Sequence, residues 1–335
     1  SPMRSTIFPL LLSGVLSVCP LHAQNPKADY EKLSKELEVR ELSTLMFAKY
    51  NDVNLRKIDA YLKKHPKAPE REKVLYLRAY SIWSLHRYEE APPAYAALLK
   101  EFPKTKFSRI ARIREAAAFL FSGQPDQALP RLQALQKDFP DRPEMYAREL
   151  AYALSRSGKQ EAALAFMNHV ETEMLFSKKD RLLPRLKHHF DMVRMIGKPL
   201  RDFKVRDHRS GKEISPGTLK GKIVLMDFWA TWCRPCLAEL PHVKGTHETF
   251  SQAGFEVFGV SLDDNRAKLD RMIADKKMDW LHHYDGKKWK NELAVKFGVH
   301  SVPANLLIDQ KGIVQGVNLR GKAVRNLVSK LLDAP

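Results

Sequence analysis

Cysteine is scarce in this sequence: there are three in 335 residues, Cys19, Cys233 and Cys236. A structural zinc site commonly draws on two cysteine pairs, or on one pair with two closely spaced histidines, and there is no second pair. His242 and His247 are the histidines nearest the pair, but they lie one to three helical turns beyond it at a spacing of five, which does not suit a shared ion. No metal is expected. Long apolar runs are also missing. The stretch from Ile7 to Val18 falls short of the roughly 20 residues that a membrane-spanning helix needs. Acids are outnumbered, 39 against 57 lysines and arginines, for a formal charge of +18. Yet no block of basic residues stands alone with stacking aromatics inside it. The charge therefore describes a solvated basic surface, suited to a cell envelope, and no nucleic-acid site is expected.

The chain is 44% hydrophobic and 29% charged, as globular proteins are, and its length predicts two domains. Ahead of them, "MRSTIFPLLLSGVLSVCPLHAQN" has a basic residue at Arg4, an apolar stretch and the small Ala23, the pattern of a secretory signal cleaved after Ala23. Ser1 and Pro2, before Met3, read as an added remnant. Cys19 follows "LSV", an imperfect lipid-attachment box because Val18 is larger than the small residue required there. Both a cleaved and a membrane-anchored form stay open. The predicted division is residues 1–24 as signal, 25–195 as a helical domain and 196–335 as an α/β domain. Export to the periplasm or cell envelope would let a disulfide persist.

The first half repeats itself. "AYLKKHP" from Ala60, "ALLKEFP" from Ala97 and "ALQKDFP" from Ala134 are spaced by 37 residues, and each ends on proline. Proline lacks a donor and clashes with the preceding turn, so each should stop a helix. "YEEA", "PDQA" and "KQEAA" open the second helix of successive pairs, and Ala79, Ala116 and Ala151 suit close helix packing. A helix pair cannot bury its apolar face alone, so neighbours must stack. Residues 40–175 resemble a tetratricopeptide-like array, with a period longer than that family's 34. The resemblance implies a scaffold or a surface for a protein partner. Arg109, Arg112 and Arg114 read as solvated charge before they read as a groove.

Beyond "HHFDMVRM" the texture changes to glycine, proline and charge. "IVLMDFWA" (223–230) and "FEVFGVSLD" (255–263) then read as strands, a helix is expected over 267–276, and "ANLLID" and "IVQGVN" form a hairpin around "QKG". The pattern predicts a small α/β sheet with helices on both faces. "HHYDGKKW" (282–289) reads as a loop at the sheet edge with surface histidines. Cys233 and Cys236 sit where a strand gives way to a helix. They are a redox disulfide, half of a metal site or two inert small residues, and the junction favours the first. Backbone N–H groups and the dipole at a helix start stabilise a thiolate, the species that attacks disulfides. Cys236, one turn on, can release the product. Arg234 adds positive charge, and Pro235 tolerates the first turn.

"VLMDFWATWCRPCLAELP" resembles the active-site segment of thioredoxin-fold proteins and is most similar to the exported TlpA-like thiol:disulfide oxidoreductases. The similarity extends over residues 196–335 through "GFEVFGVSLD", "FGVHSVPANLLID" and "LRG". It implies a thioredoxin fold with Cys233 as the attacking and Cys236 as the resolving cysteine. The redox-active disulfide would serve in place of a cofactor. It also implies Pro303 as a cis-proline beside the disulfide, leaving the Val302 backbone free to pair with an extended substrate. Trp232 would flank the site, with core packing as its plainer role, and Pro241 would kink the helix. Asp227 matches the buried aspartate of thioredoxins, and Glu239 the acid that follows the second cysteine in TlpA-like proteins. Either is expected to have a raised pKa and to accept the Cys236 proton; for Glu239 the plainer reading is an exposed acid on the helix that follows the cysteines, interacting with its dipole. Peroxiredoxins, the rival class, set one cysteine in a loop after a proline and a threonine; this chain has Thr231 without that proline. The expected partners are protein thiols and disulfides and an upstream electron donor. The alternative is an assembly factor whose helical array is the main working surface.

Overall fold

The structure, a computed structural model, describes residues 25–37, 51–177 and 180–333. The predicted signal, its cleavage point and Cys19 lie outside the described residues. Among those described, no helix is long and apolar enough to cross a membrane.

The N-terminal half is helical: α1 (Pro26–Glu36), α2 (Asp52–Lys64), α3 (Arg71–Ser84), α4 (Ala91–Glu101), α5 (Ser108–Phe121), α6 (Pro125–Asp138), α7 (Ala147–Arg156), α8 (Gln160–Phe176) and α9 (Leu183–Val193). The three repeated heptapeptides close α2, α4 and α6. At each end the residue before proline leaves the helix in nearly the same conformation: φ −125° and ψ 66° at His65, −127° and 75° at Phe102, −135° and 56° at Phe139. The ring of a following proline disfavours the α region for the residue before it, so one steric rule ends all three helices. Ala79, Ala116 and Ala151 on α3, α5 and α7 are fully buried, as are Leu98 and Leu135 at matching places in the repeat. Each such leucine contributes about 2 kcal/mol. The arginine run is only partly solvated. Arg109 is exposed, but Arg112 pairs with Asp138 at 2.6 Å, and Arg114 lies 4.0 Å from the Tyr80 ring centroid while donating to the Tyr76 hydroxyl.

The second half holds β1 (Val205–Arg206), β2 (Glu213–Ile214), α10 (Pro216–Leu219), β3 (Ile223–Trp229), α11 (Arg234–Phe250), β4 (Phe255–Ser261), α12 (Arg266–Asp275), β5 (Leu281–Tyr284), α13 (Glu292–Lys296), β6 (Ala304–Ile308), β7 (Val314–Val317) and α14 (Lys322–Leu332). The main sheet runs β5-β4-β3-β6-β7, with β3, β4 and β5 parallel and β6 antiparallel to both β3 and β7. β3 is central and almost wholly apolar, as a strand covered on both faces must be. This is the thioredoxin arrangement.

One expectation fails here. "HHY" is no surface loop: His282 and His283 lie inside β5, fully buried and 5% exposed. His282 Nε2 sits 3.0 Å from the Met278 carbonyl, and burial holds its pKa down at about 4. An uncharged imidazole can be buried where a charged one could not, and a polar letter in the sequence does not reveal which form the fold will hold.

The two halves share a core. Buried residues from Ile113 to Met195 form one apolar cluster with the sheet, while a second cluster lies within α1–α5. Polar contacts tie the seam. The half-buried Arg156 guanidinium donates to the Leu120, Val317 and Asn318 carbonyls, and the Asn318 amide donates to the Tyr152 hydroxyl at 2.6 Å. Lys322 pairs with Glu89 at 2.7 Å.

Candidate active site

At the C-terminal end of β3 the chain turns through residues 230–233 into α11. The buried Asp263 carboxylate, just past β4, holds this turn. It accepts from the Thr231 hydroxyl at 2.6 Å, from the Thr231 backbone N–H at 3.1 Å and from the Ser261 hydroxyl at 2.9 Å. Cys233 is the N-cap of α11, and its sulfur accepts from the Cys236 N–H at 3.2 Å. That places Cys233 where the first-turn N–H groups and the helix dipole favour negative charge. Cys233 and Cys236 are joined as a disulfide, with Cα atoms 5.2 Å apart.

The two cysteines are 4% and 6% exposed, while Trp232, Arg234 and Pro235 around them are open. Trp232 is 49% exposed, which rules out the core-packing role, and it leans on the equally open Trp289 with centroids 5.9 Å apart. The Val302–Pro303 peptide bond is cis. Phe228 is in register with Ala304, so the turn leaving β3 and the turn entering β6 lie at the same end of the sheet. Val302, Pro303 and Arg320 line a cleft of about 1000 Å³ whose far wall is the helical half, including Arg148, Tyr152 and His188. Neither candidate metal histidine joins the site: His242 is half-buried on α11 beyond the cysteines, and the His247 ring packs on Trp280.

The two carboxylates differ sharply. Asp227, inside β3, keeps limited solvent access, yet its pKa is pushed up to about 7. Burial is the main cause; Glu239 adds to it and Arg320 opposes it. Glu239 departs from expectation. It is only 6% exposed, so the exposed-acid reading fails, and its pKa is lowered instead of raised. Burial alone would raise it, but His86, Arg320 and the Gly321 N–H together outweigh that. The His86 Nδ1 is 2.8 Å from Oε1, the Tyr88 hydroxyl is 3.3 Å from the same oxygen, and the Gly321 N–H donates to Oε2 at 2.8 Å.

His86, Tyr88, Asp263 and Arg320 were missed in the sequence. "SLHRYEEA" reads as a turn between repeat helices, and nothing in one-dimensional spacing joins residue 86 to residue 239. "LRG" was visible as a closing motif, but its contact with a carboxylate was not.

Comparison with known proteins agrees with this geometry. Residues 196–317 match the model of the AhpC/TSA family, the part of the chain that has the thioredoxin arrangement. The chain is 31% identical over 120 residues to a protein named thiol-disulfide oxidoreductase ResA from Bacillus thuringiensis (strain Al Hakam), covering 36% of this chain and 66% of that one. It is 28% identical over 122 residues to a protein named thiol:disulfide interchange protein DsbE from Pseudomonas fluorescens biotype C, covering 36% and 65%. The match thus spans just under two thirds of these relatives' own length and leaves the helical half outside it. Among solved structures, the thioredoxin domain of a thiol-disulfide oxidoreductase from Bacteroides vulgatus aligns with a TM-score of 0.38 and 28% identity, over 41% of this chain and 98% of that one.

Proposed function

We propose that the chain is an exported thiol:disulfide oxidoreductase that passes electrons from an upstream dithiol donor to protein disulfides. The observation that carries this reading is the Cys233–Cys236 disulfide at the first turn of α11, at the same end of the sheet as Pro303. In the reduced protein the Cys233 thiolate attacks one sulfur of a substrate disulfide. A Cys233–substrate bond forms, and the other substrate sulfur leaves as a thiolate. Cys236 then gives its proton to a carboxylate and attacks the Cys233 sulfur. The internal disulfide closes, and the second substrate sulfur is released. The substrate gains two electrons and the protein loses two, which the donor dithiol restores.

Asp227 is the better matched proton acceptor, because a base works best with a pKa near the working pH and its own lies at about 7. Glu239, held ionised, serves as a standing negative charge. Charge of that sign beside the pair disfavours thiolates and so favours the oxidised protein, which is the direction of a reductant. The Val302–Pro303 turn borders the cleft where an extended substrate segment can lie, and Trp232 is open to solvent beside the disulfide.

The test is the redox potential with a Cys233→Ser control. A midpoint nearer about −270 mV than about −120 mV supports the donor direction, and the reverse contradicts it. Exchange activity surviving Cys233→Ser eliminates the reading. The rival reading, a partner-binding array with an auxiliary redox domain, draws support from Leu175 and Phe176, which end α8 largely exposed. Full physiological activity in the Cys233→Ser chain would favour it.

A further inference from the structure

The helical half reaches Glu239 through the turn between α3 and α4. His86 stands there with φ of +59°, in the left-handed region that few side chains adopt without a compensating contact. Its compensation is Glu239. The His86 Nδ1 lies 2.8 Å from Glu239 Oε1 and 2.7 Å from the Tyr88 hydroxyl, and that hydroxyl lies 3.3 Å from the same carboxylate oxygen. This triangle needs a proton on Nδ1. Without one, a ring lone pair would face a carboxylate oxygen at contact distance. With one, the ring N–H points at both oxygens and the tyrosine hydroxyl donates to Glu239. Both partners are well enclosed: Tyr88 is buried, packing on Trp83 and Phe121, and only a small part of His86 is open.

From these contacts we infer that the helical half completes the active site, with His86 and Tyr88 acting as positioning residues that hold the Glu239 carboxyl group in place beside the redox pair. The inference rests on the redox reading for its consequence, but not for its geometry. Glu239 lies three residues after Cys236 on α11, hence on the same face of the helix. The groups that face it are His86 and Tyr88 from the helical half, Arg320 and Gly321 from the turn before α14, and Asp227 from β3. Its charge contributes to the raised pKa of Asp227. A contact made by one half of the chain therefore reaches the proton acceptor in the other half. Exchange activity is then conditional on the two halves being docked.

The sign follows from the donors. Losing a charge-assisted donor raises the Glu239 pKa, so Glu239 protonates at higher pH and ceases to repel the Asp227 carboxylate. The experiment follows the Glu239 carboxyl by carbon-13 NMR in the full-length chain, a titration that needs no turnover. Asparagine tolerates positive φ, so His86→Asn keeps the turn while removing the imidazole. The Glu239 midpoint is expected to rise by about one pH unit, tenfold in the dissociation constant, the scale of one hydrogen bond to a charged group. Tyr88→Phe, which retains the aromatic packing, should move it less and in the same direction. The acid limb of the exchange pH profile should shift with it. A midpoint unmoved in both variants overturns the inference, whatever happens to stability. If His86→Asn does not fold, the Tyr88→Phe titration decides alone. Exchange activity surviving Cys233→Ser would defeat the redox reading, yet it would leave this titration readable.

Discussion

Gly321 lies so close to Phe121 that a Cβ added to the glycine would stand 2.8 Å from the Phe121 carbonyl oxygen. Here the end of α5 presses on the turn that gives its N–H to Glu239. Gly321 also has φ of +53°, which a side chain would strain. Gly321→Ala should therefore cost about 2 kcal/mol or more, and it should loosen the seam near the redox pair. Urea unfolding measures the first effect, and the exchange rate of the still-folded variant measures the second.

Cys236→Ser separates the two chemical steps. The first attack by Cys233 survives, and the release step does not. A covalent adduct with the substrate should accumulate, visible by mass spectrometry of the quenched reaction. Free substrate thiol released at the normal rate would show that Cys236 is not the resolving group.

Asp227 gives a pH dependence of known sign. Its folded pKa of about 7 lies above the ordinary aspartate value of 3.8. Between roughly those limits the native chain therefore holds a proton that the unfolded chain has lost, and stability falls as pH rises across the window. Asp227→Asn removes the effect. The variant should gain about 2–4 kcal/mol at pH 8 and little at pH 4, read from denaturant midpoints at the two values, while its exchange rate falls. Glu239 works in the opposite sense, because its lowered pKa contributes stability that is lost as pH falls.

Asp263 holds the turn that presents Cys233. Asp263→Ala would leave the Thr231 hydroxyl and N–H without their acceptor, at a cost of about 2–3 kcal/mol. The prediction is a lower melting temperature together with slower exchange. A variant with a lowered melting temperature and an unchanged rate would show that the turn keeps its shape without this anchor.

Trp232 contributes little to the core, since about half of it is open. Trp232→Ala should leave the melting temperature nearly unchanged and raise KM for a protein substrate by roughly tenfold, as expected of an aromatic contact at an interface.

The legible parts of this molecule were those governed by local rules. Proline spacing marked the ends of α2, α4 and α6 because the clash before proline acts between neighbours. The apolar run of β3 and the glycine-containing hairpin of β6 and β7 follow from backbone physics of the same range. The cysteine pair was legible because its chemistry needs a fixed short spacing. What escaped depends on packing. Whether His282 is a surface residue or a strand residue is decided by Trp229 and Trp280, whose rings flank it in the fold. Glu239 illustrates this best. From the sequence it looked like an acid that burial would neutralise, and the donors that reverse this come from His86 and Gly321, which are distant in the chain.

The Cys233 sulfur is the centre of the proposed chemistry, and the decisive measurement is its titration in the reduced chain by pH-dependent alkylation. A midpoint below about 7.5, well under the roughly 8.5 of an unperturbed thiol, is the predicted result. A midpoint at or above about 8.5 would mean that the first turn of α11 does not activate this sulfur, and it would contradict the account.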